Sequence, residues 1–195
     1  MTGVILAGGQ SIRMGNDKGL LKYGRQTWAQ QALDKLSALQ IPVTISVNMQ
    51  QLSSYQPVFS SHQLVTDSPA LAIGGPLKGI LTLHLLYPHE DLFILACDMI
   101  NMQTDVLAFI VKAYQHHPAD ALVLMKEKQA EPLCGIYAAK ALSRIYTLYI
   151  NQELHQHSMK YVLNQLEACY LPVPEKWKTY FNNYNSLSDL NESGH

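Results

Sequence analysis

Arg13 and Lys18 set two cations within nine residues of the adjacent glycines Gly8 and Gly9, and an apolar run, Gly3-Val4-Ile5-Leu6-Ala7, leads straight into them. The run reads as a buried strand. Where a strand stops and glycines follow, the backbone can approach a ligand with no Cβ in the way. A glycine-rich turn at a strand's carboxyl end, closed by Arg and Lys, suits the triphosphate of a nucleotide. Arg offers a planar fork for two oxygens and Lys a compact point charge, so both would act by positioning and electrostatic stabilisation rather than as acid or base. Asp98 ends a second apolar run, Phe93-Ile94-Leu95-Ala96-Cys97, and is the best candidate metal ligand. Magnesium takes one or two carboxylates together with substrate phosphates. Transfer at an α-phosphate needs such a cation because charge grows on the departing pyrophosphate. The competing role for Asp98 is a helix N-cap, but Thr104 is better placed to cap the next helix.

Neither of the two familiar phosphate loops fits this turn. A Walker loop requires Gly-x-x-x-x-Gly-Lys-Ser/Thr, whereas Gly15 is followed by Asn16 and Asp17 before any lysine. A dinucleotide fingerprint requires Gly-x-Gly-x-x-Gly, whereas Gly8 and Gly9 are adjacent and the next glycine is Gly15.

The elements that must position these groups are legible as a series. Strand-like runs occur at 3–7, Val43 to Val47, Gln63 to Thr66, Leu92 to Cys97, Ala121 to Met125 and Leu133 to Ala138. Between them, Trp28, Leu33, Leu36 and Leu39 make an amphipathic stripe with Thr27 as its cap. Leu77, Ile80, Leu81, Leu83 and Leu85 continue in helical fashion after Gly79, and Val106, Leu107, Ile110 and Val111 follow Thr104 as their helix cap. Alternating strands and helices predict an α/β fold with a mostly parallel sheet and right-handed crossovers. In such sheets ligands bind beyond the carboxyl ends of the strands. The successive ends are Gly8-Gly9, Asn48, Asp67 and Asp98, which carry glycine, amide or carboxylate in every case.

Length and composition bound the rest. The 195 residues suit one domain, taken as residues 1–190, followed by a polar tail at 191–195. With 14 basic and 15 acidic residues and a net charge of -1, nothing suggests a nucleic-acid partner. The 3 cysteines, Cys97, Cys134 and Cys169, form no C-x-x-C pair and are expected to be reduced. The apolar start lacks a basic leader and a cleavage site, and no apolar stretch is long enough to span a bilayer, so a soluble cytoplasmic protein with no membrane partner is expected.

Residues 6–18, Leu-Ala-Gly-Gly-Gln-Ser-Ile-Arg-Met-Gly-Asn-Asp-Lys, resemble the nucleotidyltransferase signature in the form it takes in the molybdenum cofactor guanylyltransferase family, the MobA type. The resemblance continues through Gly74-Gly75-Pro76-Leu77-Lys78-Gly79, Cys97-Asp98, Glu131-Pro132-Leu133-Cys134-Gly135-Ile136-Tyr137 and Phe181-Asn182-Asn183-Tyr184-Asn185. It implies a single-domain Rossmann-like three-layer α/β/α architecture, the nucleotide-diphospho-sugar transferase fold. Arg13, Lys18 and Asp98 would be catalytic, with magnesium on Asp98. GTP would be held by Leu6, Ala7, Gly8, Gly9, Lys18, Asn48, Asp67, Gly75, Pro76, Leu77 and Asp98. Asn48 and Asp67 match positions that contact the guanosine, and an aspartate can accept from the N1 and N2 donors of guanine. Asp67 could instead assist the metal or cap the turn Asp67-Ser68-Pro69. Pro132, Leu133, Asn183 and Asn185 would face the acceptor, and Ser186 would cap a short last helix.

The implied reaction transfers GMP from GTP to a molybdopterin-type cofactor with release of pyrophosphate. A molybdenum-insertion protein and acceptor apoenzymes are the further partners it implies. The alternatives are a molybdopterin cytidylyltransferase, a sugar-1-phosphate nucleotidyltransferase, or a non-catalytic nucleotide-binding sensor. Three departures from the family pattern stand out. Cys97-Asp98-Met99-Ile100 lacks the usual proline, and Ser186-Leu187 replaces Thr-Pro. His155 and His157 occupy the glycine and arginine places of a Gly-x-Arg-Ser stretch expected to meet the pterin.

Overall fold

The computed structural model describes residues 1–8 and 17–181. Gly9, Arg13, Asn183, Asn185, the expected Ser186 cap and the 191–195 tail lie outside the described residues.

The first apolar run forms β1 (Thr2–Leu6). Its side chains alternate between faces: Ile5 joins one buried cluster, while Val4 and Leu6 join another. A strand apolar at every position is buried on both faces, as parallel strands under helices are. β1 pairs in parallel with β4 (Val43–Val47) on one side and β6 (Leu92–Ala96) on the other. β5 (Leu64–Thr66) extends the sheet in parallel beyond β4. Beyond β6 comes β8 (Gln129–Tyr137), antiparallel both to β6 and to β7 (Ala121–Lys126). β9 (Ala168–Pro172) closes that edge in parallel with β7. Among the described residues these make a 7-stranded sheet of order β5-β4-β1-β6-β8-β7-β9, in which β8 alone runs in reverse.

Helices cover both faces. α1 (Trp28–Ser37) and α4 (Thr104–His116) bury Leu36, Val106 and Ile110 in the cluster that holds Ile5 and Phe93. The short α2 (Leu52–Tyr55) adds Tyr55 to the same cluster. α3 (Pro76–Leu86), α5 (Ala139–Ile150) and α6 (Met159–Asn164) cover the other face with Ile80, Leu142 and Val162. A small antiparallel hairpin, β2 (Lys22–Tyr23) with β3 (Gln26–Thr27), leads into α1. None of the described helices is long and apolar enough to cross a membrane.

The expected elements stand with several corrections. Thr27 caps α1, its hydroxyl accepting the Gln30 amide at 3.2 Å. Thr104 does not cap α4. The chain is still extended at Gln103, whose carbonyl accepts the first helical bond, from Leu107, so Thr104 falls inside the first turn. Gly79 likewise lies within α3 rather than at its start, because Gly75 takes the cap position and Pro76 the first helical position. α5, α6 and β9 were not expected, and β8 starts at Gln129 rather than Leu133. The reversal of β8 follows from its connection to β7. Lys126 pairs with Gln129 across a two-residue turn, Glu127-Lys128, and so short a link can only join antiparallel strands. Both turn residues have positive φ, 48° and 66°.

The chain passes from β1 to β4 and β5 on one side, then crosses to β6 on the other. That reversal of winding opens a crevice beyond the carboxyl end of β1, where open α/β sheets bind ligands.

Candidate functional site

A cleft of about 600 Å³ occupies this crevice, between the ends of β1, β4 and β5 and the start of α3. Leu6, Gly8, Asn48, Asp67, Gly75 and Pro76 all line it, as do Met49 and Lys78. Leu77 does not: its side chain is fully buried beneath α3. Ala7 also points into the core, and its carbonyl is engaged by Gln51.

Gly75 holds φ 71° and ψ −166°, a conformation open in practice to glycine alone, and so turns the chain abruptly into α3. The positive end of that helix thereby faces the cleft. Gly79, one turn on, lets α3 approach β4, since a Cβ there would stand 2.4 Å from the Ser46 hydroxyl. That hydroxyl donates in turn to an Asp67 carboxylate oxygen at 3.4 Å. Burial raises the Asp67 pKa, with Lys78 and the Ser46 hydroxyl opposing the rise. The turn after Asp67 is held by Ser68, whose amide donates to the Thr82 hydroxyl at 2.9 Å and whose hydroxyl accepts the Ala70 amide at 3.3 Å. Asp67 is therefore a half-buried carboxylate aimed into an anion-compatible, partly apolar cleft.

Lys18 reaches the end of β6, its Nζ 3.8 Å from Asp98 Oδ2. Asp98 lies in the turn after β6 and caps no helix. Burial raises its pKa, and Lys18 and a backbone hydrogen bond pull it back. Asp17 sets where Lys18 stands. Its Oδ1 accepts the Gly19 amide at 3.0 Å and the Tyr55 hydroxyl at 2.8 Å, while its Oδ2 accepts Gln51 Nε2 at 2.6 Å. Neither Gln51 nor Tyr55 stands in a motif of the sequence. One signal was present for Gln51: Asn48-x-x-Gln51 has capping-box spacing, and each residue's side chain bonds the other's amide, at 2.9 and 3.0 Å.

Beyond Asp98 lies a second cavity of about 290 Å³. Asp98, Glu131, Pro132, Leu133 and Lys160 line it, with Gln129. The antiparallel run of β8 explains how these residues arrive. Cys134 pairs with Leu95, so residues 129–133 overhang the end of β6 and come down beside Asp98. The Tyr137 hydroxyl donates to the Pro132 carbonyl at 2.7 Å and fixes the overhang. Burial raises the Glu131 pKa against the pull of Lys126 and Lys160. His155 and His157 are exposed and do not line this cavity; Lys160 is the cation that their segment brings to it. Among the described residues no group of three or more His, Cys, Asp and Glu is arranged to hold a metal ion. A cation here would draw on Asp98 and on substrate oxygens and water, as magnesium at phosphate-transfer sites does. Cys97 and Cys134 are buried free thiols whose pKa values burial pushes up, which leaves them unreactive.

Glycine at the β1 end and a helix start face one cleft, and at the neighbouring end of β6 a lysine pairs with an aspartate that lines the second cavity. The model of the MobA-like NTP transferase domain matches residues 3–169. This chain belongs to that family. The nucleotidyltransferase family has relatives that match this chain along nearly its full length. A probable molybdenum cofactor guanylyltransferase of Geobacillus sp. strain WCH70 is 26% identical, over 98% of this chain and 97% of the relative. Another of that name, from Flavobacterium johnsoniae, is 28% identical over 98% and 95%. The fold is also that of molybdopterin-guanine dinucleotide biosynthesis protein A from Archaeoglobus fulgidus. That structure superposes with a TM-score of 0.78 at 22% identity, covering 99% of this chain and 96% of the other. The mostly parallel three-layer expectation is met, with β8 as its one reversed strand.

Proposed function

We propose that this nucleotidyltransferase transfers GMP from GTP to a molybdopterin-type acceptor in the cytoplasm, releasing pyrophosphate and forming a guanine dinucleotide cofactor. The observation that carries the reading is the Lys18–Asp98 pair at 3.8 Å, in which Asp98 lines the second cavity while Gly8 and Asp67 line the nucleotide-sized cleft. The names of the Geobacillus and Flavobacterium relatives support the choice of acceptor and nucleotide.

In this reading the guanine lies against Asn48 and Asp67, with the Asp67 carboxylate accepting from N1 and N2, and the triphosphate runs past Gly8 toward Lys18. Arg13 and Lys18 neutralise phosphate oxygens. The acceptor enters from the side of Glu131, Pro132, Leu133 and Lys160, where Lys160 offers a cation to its phosphate; Asn183 and Asn185 are further acceptor-side candidates. The terminal phosphate oxygen of the acceptor forms a bond to the α-phosphorus in line, and the bond from that phosphorus to the bridging oxygen breaks. The electron pair leaves with pyrophosphate. The attacking oxygen is already anionic at neutral pH, so no general base is required, in keeping with a site built from charge and positioning. Asp98 would hold a magnesium ion, which bound there would offset the charge gathering on the departing pyrophosphate. A molybdenum-insertion protein and acceptor apoenzymes would be the partners on either side of the reaction.

The experiment incubates the chain with GTP, magnesium and molybdopterin and seeks the dinucleotide product by mass spectrometry. Asp98→Ala is expected to bind GTP and make no product. Full activity in that variant would overturn the assignment of the metal to Asp98.

A further inference from the structure

We infer that Gln51 is a positioning residue that locks Lys18 to the nucleobase side of the cleft, so that one side chain sets the distance between the two ends of the nucleotide. The inference rests on the nucleotide-transfer reading of the site. A primary amide has two donor hydrogens and one acceptor oxygen, and Gln51 spends each on a different segment. Nε2 donates to the Ala7 carbonyl at 3.1 Å and to Asp17 Oδ2 at 2.6 Å, while Oε1 accepts the Asn48 amide at 2.9 Å. Residues 7 and 17 flank the glycine-rich stretch, and Asn48 follows β4 at the proposed nucleobase side of the cleft.

A purely architectural tie between β1 and β4 would be redundant. Those strands are already paired from Gly3 with Val43 to Leu6 with Ser46. What Gln51 adds is the connection to Asp17, the residue next to Lys18. With Gln51 in place, the Asp17 carboxylate has three donors from two elements, Gln51 and Tyr55 among them, and its position is over-determined. Glutamate would retain the acceptor and lose both donors; asparagine is one methylene too short; methionine fills the space and makes none of the three bonds.

The test is a double-mutant cycle between Gln51→Met and Lys18→Ala. It is read twice, by calorimetric binding of GTP with magnesium and by kcat and KM for pyrophosphate release with molybdopterin present, with near-UV circular dichroism as the check on folding. Gln51→Met is expected to lower kcat by about 100-fold, the cost of a displacement near 1 Å. It is expected to weaken GTP binding about tenfold through loss of a well-aimed cation. In the Lys18→Ala background the same substitution should change either quantity by less than about twofold. Equal losses in both backgrounds, or no loss from Gln51→Met alone, would overturn the inference. Should Gln51→Met fail to fold, Gln51→Glu, of equal size, sets a second carboxylate against Asp17. It must weaken GTP binding at least as much, and wild-type affinity there would also overturn the inference. If the unmodified chain binds GTP but releases no pyrophosphate, the transfer reading falls by itself and the binding cycle still decides the role of Gln51.

Discussion

Gly19→Ala is a one-methyl perturbation whose cost can be worked from the neighbours of that methyl. Gly19 is buried in the tight turn Lys18–Leu20, directly after the lysine of the site. A Cβ there would stand 2.1 Å from the Tyr55 hydroxyl oxygen, 3.2 Å from Tyr55 Cζ and 3.3 Å from the Ala7 Cβ. A carbon and an oxygen rest at about 3.3 Å or beyond, so roughly 1 Å of separation has to be found. Tyr55 cannot supply it by swinging away: its ring is 0% exposed and stacks on Phe59 with centroids 5.7 Å apart. Burial keeps its phenol protonated, so the hydroxyl remains a donor to Asp17. Relief therefore breaks that bond or moves the turn that carries Lys18.

Loss of a hydrogen bond to a charged group costs about 1.5–3 kcal/mol and overpacking about 1–3 kcal/mol. Removing glycine from the unfolded chain returns about 0.4–1 kcal/mol. The net is a destabilisation of about 3 kcal/mol, which lowers Tm by about 6–12 °C in a domain of this size. The assay is thermal or urea unfolding of Gly19→Ala, alone and in a Tyr55→Phe background. Without the hydroxyl the closest neighbour is Cζ, and the penalty should shrink to about 1 kcal/mol or less. A Gly19→Ala protein as stable as its parent, or an equal loss with and without the hydroxyl, would show that the Tyr55 hydroxyl is not the obstacle.

Three further outcomes follow from other parts of the molecule. Replacing Glu127-Lys128 by Asn-Gly should stabilise the chain by about 1 kcal/mol, because both positions have positive φ that Asn and Gly adopt more readily; an unchanged urea midpoint would contradict this. If Asp67 accepts from guanine as proposed, Asp67→Asn should lower kcat/KM for GTP about 10- to 100-fold with little change in Tm, since a charged acceptor is replaced by a group that presents donors of its own; retention of full GTP preference would remove Asp67 from base recognition. Burial lowers the Lys35 pKa to about 8, well under its unfolded value. The folded state then binds fewer protons than the unfolded state between about pH 8 and 10.5, so stability should climb as pH rises through that window. In Lys35→Met the climb should disappear from a series of urea midpoints, and an unaltered slope would show that another group carries it.

Much of the sheet is legible because its central strands β1, β4 and β6 are short, mostly apolar runs buried on both faces. Once β1, β4, β5 and β6 were placed, their carboxyl ends brought Gly8, Asn48, Asp67 and Asp98 to one edge by topology alone. The half of the sheet beyond β6 was harder to read. Its key turn uses Glu127 and Lys128 in the left-handed region, with no Gly or Asn to announce a two-residue hairpin. β9 ends in Pro172 at the sheet's edge, and α6 is a helix of only 6 residues. Consequently the antiparallel overhang that carries Glu131 to Leu133 over Asp98 could not be foreseen. The cap of α4 was misplaced by one residue for a local reason: Gln103 provides its backbone carbonyl and no side-chain bond, whereas Thr104 looks like a cap from composition alone. Gln51 is not legible in the sequence because glutamine after a strand reads as loop polarity; its three side-chain bonds reach segments that meet only in the folded chain. In the His155–Lys160 stretch the motif place of the family arginine holds an exposed histidine, and the cation lining the cavity comes from Lys160, 3 residues after His157.

If the chain transfers GMP, its choice of nucleotide must show it. With magnesium and molybdopterin present, the chain is given GTP, CTP, UTP or ATP in turn, and incorporation of labelled pyrophosphate back into each nucleotide is followed through reversal of the reaction. Label is expected in GTP well above the other three, and Asp98→Ala should abolish it. Label in CTP alone would contradict it and assign the chain to cytidylyl transfer.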